Sequence, residues 1–168
     1  RDMTIRTFGI DHVHFNVLRI KRFLGIMEQL FGADITPISQ LAQLGAYNAC
    51  VYFPAEGMTP SFLDVFQPGG DSDQAAEHIR DHGQGISHVA FRVENIEDAA
   101  VHAANCGLLE LSRLGYRGMK QVQFDTRAEL GFLLEFVEYE PGFAEDLARV
   151  KERLRAGETV DGLRYVSP

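Results

Sequence analysis

The chain contains no tryptophan and only two cysteines, Cys50 and Cys106, among its 168 residues. Two cysteines cannot build a disulfide framework, so the composition points to a reducing, cytoplasmic setting. No apolar run approaches the roughly 20 residues of a membrane-spanning helix, and the opening Arg1-Asp2-Met3-Thr4 begins no signal-peptide stretch. Arg1 in place of an initiator implies a longer gene product. Bases are scarce relative to acids, 16 against 24, for a formal charge of −8 with no basic cluster. That balance excludes a nucleic-acid footprint. What remains, 45% hydrophobic and 24% charged, is ordinary for one soluble globular domain able to bury a core.

The informative presence is an internal repeat. Ile10-Asp11-His12-Val13-His14-Phe15-Asn16-Val17 reads like Ile86-Ser87-His88-Val89-Ala90-Phe91-Arg92-Val93. Each segment alternates at period two and precedes a helical stretch, Leu18 to Phe31 in the first half and Ile96 to Asn105 in the second. Asn95 is placed to cap the second of these and Gly107 to stop it. Strands are expected at 44–53 and 120–125, with weaker ones near 34–36 and 109–113. Each half closes on an acid inside an apolar strand followed by a proline, Phe62 to Pro68 and Leu133 to Pro141. The pattern predicts one α+β domain over 1–168 made of two tandem βαβββ modules, 10–68 and 86–139. Residues 69–85 read as a polar linker with a short helix around Gln74–Asp81. Over 140–168, a helix striped by Phe143, Leu147, Val150 and Leu154 runs to Gly157 and leaves an uninformative tail.

Alternation decides where the repeated side chains point. Val13, Phe15 and Val17 share the helix-facing side, leaving His12, His14 and Asn16 opposite; Val89, Phe91 and Val93 likewise leave His88, Ala90 and Arg92 opposite. Asp64 and Glu135 lie on the inner face between apolar neighbours, where an ionised carboxylate is costly unless paired or bound to a cation. Pseudo-symmetry of the two modules brings these strands to one cupped mixed sheet. There His12, Asp64, His88 and Glu135 would converge as two imidazoles and two carboxylates, a set suited to one divalent ion of Fe, Zn, Co, Ni or Mn.

At these residues the sequence resembles the vicinal oxygen chelate superfamily, which includes glyoxalase I, methylmalonyl-CoA epimerase, extradiol dioxygenases and bleomycin-resistance proteins. The carriers are Ile10-Asp11-His12-Val13, Gly85-Ile86-Ser87-His88-Val89-Ala90-Phe91-Arg92-Val93 and Leu133-Leu134-Glu135-Phe136. The second run, continued by Glu94-Asn95-Ile96-Glu97, is most similar to the epimerases. The resemblance implies a metal held by His12, Asp64, His88 and Glu135, and a homodimer. Two stretches depart from the epimerase pattern: Ala46 to Tyr52 carries no acid where those enzymes place a catalytic Glu, and Phe124 to Gly131 lacks their His-Pro-Lys run.

Three function classes follow. The first is proton abstraction beside a metal-bound carbonyl, as in an isomerase, epimerase or lyase acting on a small carbonyl or vicinal-oxygen substrate. Its base would be Glu135, with His14, Tyr116 and Lys120 as further catalytic candidates, and Asn16, Tyr47, Phe62, Phe66, Phe124 and Val137 lining the pocket. The second takes His12, His88 and Glu135 alone as the two-His-one-carboxylate set of an Fe(II) extradiol-type dioxygenase acting on a catechol. The third is a non-catalytic small-molecule (drug) binding protein. Arg92, Arg113, Arg117 and Lys120 are the bases available for a carboxylate or phosphate.

Overall fold

The computed structural model describes residues 4–54 and 61–168; the segment 55–60 of the expected first module lies outside the described residues. The first repeat contributes β1 (Thr7–Asn16), α1 (Ile20–Phe31), β2 (Asp34–Ile35), β3 (Ser39–Leu41), β4 (Tyr47–Tyr52) and β5 (Phe62–Gln67). After the connecting α2 (Gln74–His82), the second repeat contributes β6 (Gly85–Val93), α3 (Ile96–Asn105), β7 (Glu110–Tyr116) and β8 (Met119–Phe124). It continues through a single turn of helix, α4 (Arg127–Leu130), into β9 (Leu133–Tyr139). The chain ends with α5 (Phe143–Arg155) and β10 (Leu163–Tyr165). This is the α+β order of tandem βαβββ-like modules followed by a C-terminal helix.

Two compact units divide the chain differently from the repeats. One unit joins the stretch up to Val13 to His88–Asp146; the other comprises His14–Ser87 and Leu147–Pro168. The strand carrying the first histidine therefore packs with the second repeat.

In the first unit the strand order is β1-β6-β9-β8-β7. β6 and β9 run parallel, with Ala90 opposite Glu135, and β8 runs antiparallel to β9, with Gln123 opposite Glu135. One face of this sheet carries Val93, Val122, Phe124 and Phe136, which close over Ile96, Ala99, Ala100 and Ala103 of α3. Small residues at that helical spacing let α3 approach the sheet closely. Its start is secured twice: Asn95 Oδ1 accepts from the Asp98 N–H at 3.0 Å, and the Ile96 N–H donates to Glu138 Oε2 at 2.8 Å. Arg117 and Gly118 turn β7 into β8 with positive φ angles of 46° and 87°. A Cβ at residue 118 would also crowd the Glu140 side chain at 3.2–3.3 Å, which leaves glycine as the residue that fits.

In the second unit the order is β10-β3-β4-β5-β1, with β2 paired to β4. Its core is Val17, Ile20, Leu24, Ala49, Val51 and Val65, with α1 on the sheet. α1 begins at Ile20, two residues later than the periodicity predicts, because Arg19 holds non-helical angles (φ −136°, ψ 83°); the Gln67 side chain accepts from the otherwise unpaired Ile20 N–H. The expected strand at 44–53 contracts to Tyr47–Tyr52, since Leu44 and Gly45 both donate back to the Leu41 carbonyl in a turn. The tail read as uninformative forms β10, paired antiparallel to β3 with Tyr165 opposite Ser39. Three-residue strands show no periodicity, so neither β3 nor β10 could be read from pattern alone. Among the described residues, no helix is long and apolar enough to cross a membrane.

Candidate metal centre

The site is built on three neighbouring strands of the first unit. His12 on β1, His88 on β6 and Glu135 on β9 are all buried, and one ligand atom from each lies within 4.8 Å of the others. His12 Nε2 stands 3.4 Å from Glu135 Oε1, and His88 Nε2 stands 3.2 Å from Glu135 Oε2. The imidazoles meet edge to face, their centroids 6.0 Å apart. Two ligands that each sit about 2.0–2.2 Å from a common ion are separated by about 3.0–3.5 Å, so these spacings suit a shared cation.

The chemistry of the set points the same way. Glu135 is fully buried, yet its Oε1 accepts no hydrogen bond among the described residues. Such an orphaned acceptor costs about 1–3 kcal/mol or more, and a bound cation removes that penalty. The three side chains thus form a candidate site for one divalent metal ion.

Supporting groups fix the ligands. His12 Nδ1 lies 2.7 Å from Asp11 Oδ2, and the same oxygen accepts from the Tyr139 hydroxyl at 2.6 Å. A proton held on Nδ1 by that carboxylate leaves the Nε2 lone pair for an ion. Gln123 Nε2 donates to Glu135 Oε2 at 2.6 Å and lies 3.4 Å from His88 Nδ1. Ala90, opposite Glu135 across the strands, and Val137, on the same face of β9, are fully buried.

Asp64 belongs to the second unit. There it accepts from Asn48 Nδ2 at 2.6 Å and from the Cys50 thiol at 3.6 Å, and its Oδ2 lies 3.9 Å from His14 Nδ1. Burial first, and the Asp64 carboxylate second, push the Cys50 thiol well above its ordinary range. His14 stacks on Phe66 at 4.4 Å and bonds through Nε2 to buried Asn16 Oδ1 at 2.9 Å. Phe62 packs on Tyr52 at 5.2 Å.

Three expected lining or catalytic residues fall on the other side of their strands. Phe124 is core, packed at 5.2 Å against Phe136 beneath α3, because it alternates with Val122 rather than with Gln123. Lys120 shares that parity, points away from Glu135 and pairs with Glu140 at 3.7 Å. Tyr47 shares the parity of the core residues Ala49 and Val51, while Asn48, Cys50 and Tyr52 occupy the same face as Asp64. Tyr116 keeps the parity of Gln123 but sits at the hairpin end of β7, opposite Met119.

Gln123, Asp11 and Tyr139 support the candidate ligands, and the sequence reading did not single them out. A glutamine placed between Val122 and Phe124 was the available signal for the first. The other two depend on a contact between chain positions far apart, which no local pattern records.

The fold has counterparts among solved structures. Methylmalonyl-CoA epimerase from Mycobacterium tuberculosis is 18% identical, with a TM-score of 0.70 over 85% of this chain and 95% of that one. A hypothetical protein from Bacillus halodurans is 23% identical, with a TM-score of 0.66 over 78% and 94%. A variant of Streptomyces coelicolor methylmalonyl-CoA epimerase, in complex with 2-nitronate-propionyl-CoA, is 17% identical, with a TM-score of 0.68 over 81% and 97%. At these identities the likeness is one of fold. No curated protein matches the chain. Residues 10–143 match the glyoxalase-like domain, and the chain belongs to that family, within the vicinal oxygen chelate superfamily.

Proposed function

We propose that this protein is a metal-dependent enzyme that removes a proton beside a carbonyl of a small molecule, as an isomerase, epimerase or lyase does. The observation that carries the reading is the buried His12–His88–Glu135 set, with one carboxylate oxygen anchored by Gln123 and the other without a hydrogen bond. A divalent ion held by these residues supplies Lewis-acid chemistry to a carbonyl or a vicinal pair of oxygens. Glu135 is both candidate ligand and base in this scheme: Oε1, the oxygen without a hydrogen bond, would take the proton when it is not engaged by the ion, while Gln123 keeps Oε2 in place. His12, locked by Asp11 and Tyr139, keeps its Nε2 directed at the same place.

The decisive measurement is solvent deuterium exchange into a panel of small carbonyl compounds by protein loaded separately with Zn, Co, Ni or Mn. Exchange by the wild type, absent in His88→Ala and Glu135→Gln, supports the reading. A second reading draws on the ligand count, because two histidines and one carboxylate are also the set that leaves positions open on Fe(II). Oxygen uptake with catechols that requires Fe(II), and no exchange with any other metal, would favour that dioxygenase activity.

A further inference from the structure

Arg92 lies on β6, the strand that carries the candidate metal ligand His88. By alternation along β6, Arg92 shares the face of His88 and Ala90, while Phe91 and Val93 turn into the core under α3. Four residues of strand, about 13 Å, separate it from His88. Its guanidinium lies over two aromatic rings, 5.6 Å from Phe8 and 5.3 Å from Tyr139.

Arg6 pairs with Glu94 and also lies 5.8 Å from the Phe8 ring, while Arg113 pairs with Glu97 and Glu110, and Arg117 with Asp146. Among the described residues, no carboxylate lies within ion-pair distance of Arg92, which is exposed. The nearby Glu94 is already taken by Arg6. Cation–π attraction to ring faces holds a guanidinium while its N–H edge stays available for an anion. Tyr139, one of the two rings, is the residue that braces Asp11 and through it His12. The planar cation and the metal centre thus share a support.

We propose that Arg92 is the anion-binding residue of this site and that the substrate is an acidic carbonyl compound. It would carry a carboxylate or phosphate in addition to the oxygens offered to the metal. The proposal rests on the metal-centre reading above and adds the substrate class. A guanidinium edge pairs with two oxygens of either oxyacid, so the shared chemistry is a planar or tetrahedral oxyanion.

The test compares 2-oxoglutarate with 2-oxopentanoate, which lacks the distal carboxylate, by calorimetry on Zn-loaded wild type, Arg92→Gln and Arg92→Lys. Wild type should prefer 2-oxoglutarate by about tenfold or more, and Arg92→Gln should lose the preference; Arg92→Lys should retain part of it. Zinc affinity, measured by chelator competition, should be the same in all three proteins.

An Arg92→Gln protein that keeps the preference overturns the proposal. So does one whose zinc affinity falls in step, since Arg92 would then act only as a prop for Tyr139. Inorganic phosphate that displaces 2-oxoglutarate from wild type and binds more tightly assigns the group to phosphates; weaker binding assigns it to carboxylates. Anion preference without proton exchange would sink the proton-abstraction reading and leave Arg92 standing. Exchange without anion preference would do the reverse.

Discussion

Glu135 and Asp64 close equivalent strands of the two repeats, and their surroundings differ in kind. Glu135 is 0% exposed and stands against two imidazoles, His12 and His88. The Asp64 side chain is 21% exposed and bonds to an amide and a thiol, with the nearest imidazole 3.9 Å away. One device is common to both: a side-chain amide on the neighbouring strand donates to the acid at 2.6 Å, Gln123 to Glu135 and Asn48 to Asp64. The repeat therefore preserves an amide-anchored carboxylate, and the identity of the next residues decides its chemistry. Nitrogen ligands make a candidate cation site, whereas a thiol kept protonated makes a hydrogen-bonded polar cluster.

The largest expected effect separates the two acids directly. Glu135→Gln removes the only carboxylate of the buried set and should abolish tight metal uptake, read by metal analysis after gel filtration. Asp64→Asn should change metal content far less. A loss as deep as that of Glu135→Gln would place Asp64 among the ligands.

An intermediate effect tests the brace on His12. Asp11→Asn should weaken metal affinity by about 10–100-fold, as is usual when the partner of a ligating histidine is altered. Nitrogen NMR of His12 in the metal-free protein should show the Nδ1–H tautomer losing its dominance. Unaltered affinity and tautomer would mean that Asp11 and Tyr139 serve only the fold.

The smallest effect belongs to the thiol beside Asp64. Burial and Asp64 raise the Cys50 pKa, while Lys151 and Tyr52 oppose that shift. At neutral pH iodoacetamide should label exposed Cys106 and spare Cys50. The native thiol holds its proton above the pH at which the unfolded chain releases it, so Cys50 stabilises the fold less as pH rises past the ordinary value of 9.0. Asp64→Asn should lower the Cys50 pKa and quicken its labelling; equal rates in both proteins would refute the coupling.

Much of this was legible before any coordinates. The helix over Ile96–Asn105, with its Asn95 cap, follows from residue spacing, as does the short helix from Gln74. The facing of Glu135 away from Phe136 follows from alternation, because neighbouring side chains in a strand point to opposite faces whatever they meet there. The same rule places Tyr47 with Ala49 and Val51, and Phe124 with Val122, on the core side of their strands. Phe124 alternates with Val122, and both are buried.

The sequence by itself determined the repeat, the faces of its strands and the residue types able to hold an ion, since all three are local properties of backbone geometry and side-chain chemistry. Only the tertiary structure decided that β1 splits between two units, that His12, His88 and Glu135 gather, and that Gln123, Asp11 and Tyr139 hold them. Strand partners and register between segments a hundred residues apart are set by the packing of the whole sheet, and that energy is written in no single stretch of chain.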